Sequence, residues 1–267
     1  MVRFGCCLGA EPFFETLEQG LATVHRNGYD YAELRLVSIA ELSNRDFEAV
    51  RKIVERAPIG VPVFNVFLPR TMPLTGPQVP TKTIKAYLKR SLSRAYNLGG
   101  GCVVFGSGRA RTVPQGFDRD RAQDQIYDFL KLCEEYASPA DITIAIEPLN
   151  KKESNIINSV AEALQIAQQL SLAHVKVLAD SYHMFQEKEP YESLQRLTGW
   201  LEHVHIADGD RYYPGHSESG GVDFAAFFRA LKDSGYEGLI STEARFEDFD
   251  REGAISRTFV RELWERI

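Results

Sequence analysis

The stretch Ile142-Thr-Ile-Ala-Ile-Glu-Pro-Leu-Asn150 decides how the chain is read. With a period of two, Ile142, Ile144 and Ile146 share one face of a strand, while Thr143, Ala145 and Glu147 share the other. The isoleucine face suits packing against helices. The opposite face ends in a carboxylate, after which Pro148 removes a backbone donor and stops the strand. Three later segments end in the same way: Val175-Lys-Val-Leu-Ala-Asp180, Leu201-Glu-His-Val-His205 and Gly238-Leu-Ile-Ser-Thr-Glu243. Each lies about one strand-and-helix unit beyond the one before. Glu147, Asp180, His205 and Glu243 should therefore sit on four consecutive strands and point inward at one common end.

Outward from this core, short β-like runs alternate with longer helical patterns, the mark of a parallel sheet covered by helices. Eight such units are counted. With 267 residues, 44% of them hydrophobic, the chain fits a single (β/α)8 TIM barrel, one domain over residues 1–267. The first four strands are expected at Val2–Leu8, Tyr31–Arg35, Pro62–Phe67 and Cys102–Phe105. Helices are expected at Phe13–Asn27, Asp46–Arg56, Thr81–Leu98, from near Asp118, Ser159–Leu170, Pro190–Leu197, Asp223–Ser234 and Gly253–Trp264. Ser159-Val-Ala-Glu162 reads as a capping box. Pro69, Pro73, Pro77 and Pro80 exclude a helix after the third strand and suggest a loop able to act as a lid. Gly106-Ser-Gly-Arg-Ala-Arg111 reads as a flexible basic loop, and Lys82, Lys85, Lys89, Arg90 and Arg94 as a solvated helix face.

A net charge of −6 disfavours affinity based on phosphate neutralisation. Cys6, Cys7, Cys102 and Cys133 show no CxxC spacing, the amino terminus lacks a signal-peptide layout, and no apolar run approaches the roughly 18 residues of a membrane span. The expectation is a soluble cytoplasmic protein that binds neither nucleic acid nor membrane. A homo-oligomer is allowed.

Three carboxylates and one imidazole form an oxygen-rich open site that suits one divalent ion, Mn2+ first, with Mg2+, Co2+ or Zn2+ as alternatives. Nearby anions do not all ionise comfortably without a cation. A lone acid at a strand end is usually a cap or salt-bridge partner; four on successive strands point to a metal site. His203 and His205 share inward parity, and His205, nearest the strand end, is taken as the ligand, with His203 in packing or support. His25 and His174 read as structural or exposed. A cation of this kind can stabilise the enediolate of a keto sugar or keto-polyol, and two opposed glutamates, Glu147 and Glu243, can remove and return a proton on different faces.

The segments Ile-Glu147-Pro-Leu-Asn, Asp180-Ser-Tyr-His183, His203-Val-His205-Ile-Ala-Asp and Ser-Thr-Glu243 resemble the signatures of the xylose-isomerase-like barrel superfamily. Within it they are most similar to the ketose 3-epimerases and keto-inositol isomerases. The resemblance implies Glu147, Asp180, His205 and Glu243 as metal ligands, Glu147 and Glu243 as proton-transfer groups, and Glu153, His183 and Arg211 as substrate-binding residues. A metal-dependent dehydratase or lyase on a keto-cyclitol or keto-sugar starts with the same proton abstraction and is the alternative. The superfamily also holds abasic-site endonucleases of the three-zinc kind, but the strand ends Phe67-Leu-Pro and Phe105-Gly-Ser lack the histidines of such a cluster. A non-catalytic metal-binding barrel is the remaining reading. The loop with Arg109 and Arg111 could suit a phosphate or carboxylate, yet barrel phosphate sites use the seventh and eighth loops, so an unphosphorylated substrate is favoured and an anionic polyol is the minority view. Phe67, Phe105 and Phe246 are candidates for an apolar pocket wall.

Overall fold

Eight short strands, each followed by at least one helix, close on themselves in chain order. The computed structural model describes residues 2–9, 13–216 and 221–267. The elements are β1 (Arg3–Leu8), α1 (Phe13–Arg26), β2 (Tyr31–Arg35), α2 (Leu36–Ala40), α3 (Asn44–Arg56), β3 (Val63–Asn65), α4 (Thr81–Asn97), β4 (Cys102–Phe105), α5 (Gly108–Arg111), α6 (Arg119–Ala137), β5 (Thr143–Ile146), α7 (Val160–Leu170), β6 (Val175–Asp180), α8 (Ser181–Glu187), β7 (Leu201–Ile206), α9 (Phe224–Asp233), β8 (Leu239–Thr242) and α10 (Phe249–Arg266). Every neighbouring strand pair is parallel, including the closing pair β1 and β8. The fold is a (β/α)8 barrel.

Side-chain alternation sorts the core into two parts. Ile144 and Ile146 join the large layer between strands and helices, whereas Ala145 meets Tyr31, Val63, Cys102, Val104 and Leu178 inside the barrel. Tyr31 fits there because Gly5 leaves room: a Cβ at Gly5 would lie 2.1 Å from the ring. Its hydroxyl sits 2.9 Å from Ser241 Oγ. One inward position further along the strands, the apolar plug gives way to polar groups: Glu33, Asn65, Glu147 and Asp180. The sheet thus delivers its chemistry to the carboxyl end.

Several local expectations change. α2 was not foreseen; it follows β2 directly, and its last carbonyls are taken by Arg94, which donates to Ile39 O, Ala40 O and Leu42 O at 2.8–3.2 Å. Arg94 is therefore buried and does not belong to the solvated face of α4. β3 stops at Asn65 because Val66 turns to φ 45°. The proline-rich segment has no helix or strand, as expected, but Leu68, Met72 and Leu74 are buried, so its centre is anchored on the barrel. Phe67 and Phe105 pack outside the barrel against Phe129, with ring centroids 6.0 and 5.0 Å away, and are not among the lining residues of the cavity at the carboxyl end. Ser159 caps α7 as expected, its Oγ accepting from Glu162 N, and only the return bond of the capping box shifts by one residue, Glu162 Oε2 accepting from Asn158 N. α10 begins at Phe249, earlier than expected, because Asp248 caps it.

The segment after β4 is not a loose loop, and Arg111 is not one of its free cations. α5 turns Arg111 inward, where the wholly buried guanidinium donates to Phe105 O at 2.9 Å, Glu147 O at 2.7 Å and Ile157 O at 3.3 Å. Burial lowers its pKa to about 10. These bonds tie the ends of β4 and β5 together and fix the backbone that carries Glu147.

Candidate metal centre and active site

Four donor groups meet at the carboxyl end. Oxygen atoms of Glu147, Asp180 and Glu243 and a ring nitrogen of His205 all lie within 4.8 Å of one another. Each comes from a different strand end: Glu147 just beyond β5, Asp180 closing β6, His205 inside β7 and Glu243 just beyond β8. His205 Nδ1 stands 3.5 Å from Glu147 Oε1 and 3.6 Å from Glu243 Oε2. Gly106 ends β4 without a side chain, and this absence is required, since a Cβ there would fall 2.1 Å from Glu147 Oε2.

The orientation of His205 is set by Glu33, which sequence reasoning passed over. The Glu33 carboxylate is fully buried and accepts from His203 Nε2 and His205 Nε2, each at 2.9 Å. Burial opposes its ionisation, but the two imidazoles hold its pKa well below the usual carboxylate range. An ionised carboxylate only accepts, so both Nε2 atoms carry hydrogen, and His205 turns Nδ1 toward the three acids. His203 supports the site from beneath. Cys7 lies beside Glu33 and His205, but both Glu33 oxygens are already engaged.

Ionisation within the cluster is uneven. Burial raises Glu147, yet the neighbouring His205 imidazole outweighs it and leaves its pKa lowered. Burial and the Glu147 charge push Asp180 up to about 8, and Glu243 is raised first by burial, with Glu147 adding to it. His205 is raised because Glu33 and Glu243 overcome its burial. Among the buried atoms with no hydrogen-bond partner are Glu147 Oε1, His183 Nε2 and His205 Nδ1. A cation answers the first and last, so the donor set fits a divalent ion.

The three accessory residues converge on the same place. Asn150 N donates to His183 Nδ1 at 3.1 Å, so the hydrogen resides on Nε2, which points at Glu147 Oε1 and Asp180 Oδ2 from 3.8 and 3.7 Å. Burial lowers His183 to about 3 and keeps it a neutral donor. Arg211 bridges Glu153 Oε1 at 2.8 Å and Glu243 Oε2 at 3.1 Å, with its guanidinium over the Tyr182 ring. Asn65 Nδ2 holds the other Glu243 oxygen at 3.1 Å, a contact the sequence did not reveal. Of the remaining histidines, His174 pairs with Glu134 and Asp141 and His25 is exposed, both away from the cluster. A cavity of about 750 Å³ opens above the donors and reaches Glu147, Glu153, Arg211 and Glu243.

A family model described as xylose isomerase-like TIM barrel matches residues 21–260. The chain belongs to the xylose isomerase-like TIM barrel family. Curated members similar to it are sugar epimerases. The 3-dehydro-D-guloside 4-epimerase of Escherichia coli (strain K12) is 35% identical over 140 residues, 52% of this chain and 52% of the relative. The match thus spans about half that relative's length. The L-ribulose 3-epimerase of Methylomonas sp. (strain DH-1) is 27% identical over 242 residues, 88% of this chain and 79% of the relative. Among solved structures, D-allulose 3-epimerase from Methylomonas sp. in complex with D-allulose superposes with a TM-score of 0.86 at 21% identity, over 98% of this chain and 96% of that one. This last likeness shows the barrel fold alone. No helix among the described residues is long and apolar enough to cross a membrane.

Proposed function

We propose that this protein is a divalent-metal-dependent epimerase acting on a sugar or keto-polyol, with Glu147, Asp180, His205 and Glu243 as the residues that hold the ion. The donor set favours Mn2+, with Mg2+, Co2+ or Zn2+ able to take its place. When bound, the cation supplies positive charge that favours loss of the proton beside a carbonyl. One observation carries the reading: two glutamates with oppositely shifted pKa values flank His205 Nδ1 from β5 and β8, beneath an open cavity. Glu147, held ionised, is suited to take the proton, and Glu243, biased toward the acid, to return one on the opposite face. Asn65 and Arg211 hold both Glu243 oxygens in place for that exchange. His183 Nε2 donates to a substrate oxygen, and Arg211 offsets charge on the enediolate. The epimerase relatives support this reaction type. Cytoplasmic residence belongs to the same reading, supported by four cysteines that are all free.

The test is solvent-deuterium incorporation into free ketoses, keto-inositols and 3-keto-glycosides with Mn2+ present, and Glu243→Gln as control. Label at the carbon beside the carbonyl, lost in the variant, with an inverted product, is expected. An unsaturated product would indicate elimination, and no exchange into any compound by the Mn2+-loaded protein would overturn the assignment.

A further inference from the structure

The cavity above the four donors is chemically two-sided. On the donor side three acids, Glu147, Glu153 and Glu243, come from the ends of β5 and β8 and the loop after β5, with Lys152 and Arg211 lining the space beside them. The other half of the mouth is built by the ends of β2, β3 and β4 and the segments that follow them, and there Arg35, Arg70 and Arg109 line the space. Glu41 is the one acid among the described lining residues of that half. In the closed barrel β2 and β3 lie across the opening from the donor strands β5 to β8, while β4 borders β5.

The arginines around the site differ in what they do. Arg211 is shared between Glu153 and Glu243, and Arg111 is spent on three carbonyls. Arg35 donates to Gly9 O at 3.4 Å. Arg70 and Arg109 are exposed, line the cavity, and have no side-chain partner among the described residues. At about 750 Å³ the space exceeds what one sugar ring fills and lies within the roughly 300–1,000 Å³ usual for larger ligands. A ligand with its reacting carbons at Glu147 and Glu243 would extend its far end toward Arg70 and Arg109.

We infer that this far half is an anion subsite, and that the substrate is a sugar or polyol derivative with a carboxylate or phosphate remote from the carbon that loses its proton. The placement of the reacting end rests on the epimerase reading above; the charge of the far end does not. Two guanidinium groups match either anion through paired hydrogen bonds. Arginines that served only solubility would be indifferent to ligand charge.

The test is calorimetric binding of D-glucose, D-glucuronate and D-glucose 6-phosphate at low salt. It uses the full chain and the Arg70→Gln/Arg109→Gln double variant, each with and without Mn2+. At least one anion should bind about tenfold tighter than glucose, with or without Mn2+, and added salt should weaken the preference. In the double variant the preference should fall within about twofold while Mn2+ affinity stays unchanged, which shows an intact fold. The two anion arms tell carboxylate from phosphate. The inference is overturned if neither anion binds, if glucose binds equally well, if the double variant keeps the preference, or if the preference needs Mn2+. Failure of deuterium exchange with the anion preference retained would remove the epimerase reading alone.

Discussion

Glu33 shows how much a single carboxylate decides in a buried site. It is the shared acceptor of two imidazoles, and its inability to donate fixes which nitrogen of His205 faces the three clustered acids. Glu33→Gln keeps the shape but replaces one acceptor by a donor, so one imidazole must change tautomer or lose its bond. Mn2+ affinity measured by chelator competition should fall about 10–100-fold, with a stability loss of about 1–3 kcal/mol in urea unfolding. Undiminished Mn2+ affinity would show that His205 needs no orientation from Glu33. The four clustered donor residues were legible because each stands at a strand end with inward parity. Glu33 sits in an equally legible strand, yet its partner lies 170 residues away on β7, and no local pattern marks that encounter. Asn65 was hidden for the same reason, its contact with Glu243 spanning 178 residues.

At the scale of elements, the ends of β4 and β5 form one unit. Arg111 ties their carbonyls, and Gly106 leaves space for the Glu147 carboxylate. Gly106→Ala would put a methyl group where Glu147 Oε2 lies, and the carboxylate would have to move. Because a misplacement of about 1 Å can cost about 100-fold, kcat/KM should fall by about two orders of magnitude while the urea midpoint moves little; full activity would mean that Glu147 has a second productive position. Period-two alternation placed β2, β4 and β6 at their observed bounds. Boundaries slipped where a tertiary bond decided them. Arg94, read from spacing as a solvated cation, closes α2 and so creates a helix that local propensity did not announce. Arg111 likewise converts a glycine-rich loop into a pinned turn. Buried guanidinium groups satisfy carbonyls far along the chain, and sequence spacing carries no trace of which ones.

For the whole molecule, four donor residues from four consecutive strands would make binding of the proposed cation and barrel stability one equilibrium. A cation that binds only the folded chain stabilises it by RT ln(1 + [L]/Kd), about 2.7 kcal/mol at 100 times Kd. For a chain of this size each kcal/mol moves Tm by about 2–4 °C. Saturating Mn2+ at pH 8 should therefore raise Tm by about 5–10 °C, reversed by EDTA and reduced in Glu243→Gln. The effect should depend on pH with a definite sign. Burial and the Glu147 charge hold a proton on Asp180 up to about pH 8, and an incoming cation must displace it. Below that pH the apparent Kd grows about tenfold per unit for one displaced proton. Because Asp180 is already half protonated at pH 8, a Mn2+ concentration of about 100 times Kd there becomes about twice Kd at pH 6, where the same expression leaves only about 0.6 kcal/mol. Scanning calorimetry at both pH values with fixed Mn2+ measures the difference. An equal shift at pH 6 and pH 8 would mean that Asp180 enters the site already ionised, or that the ion is held without it.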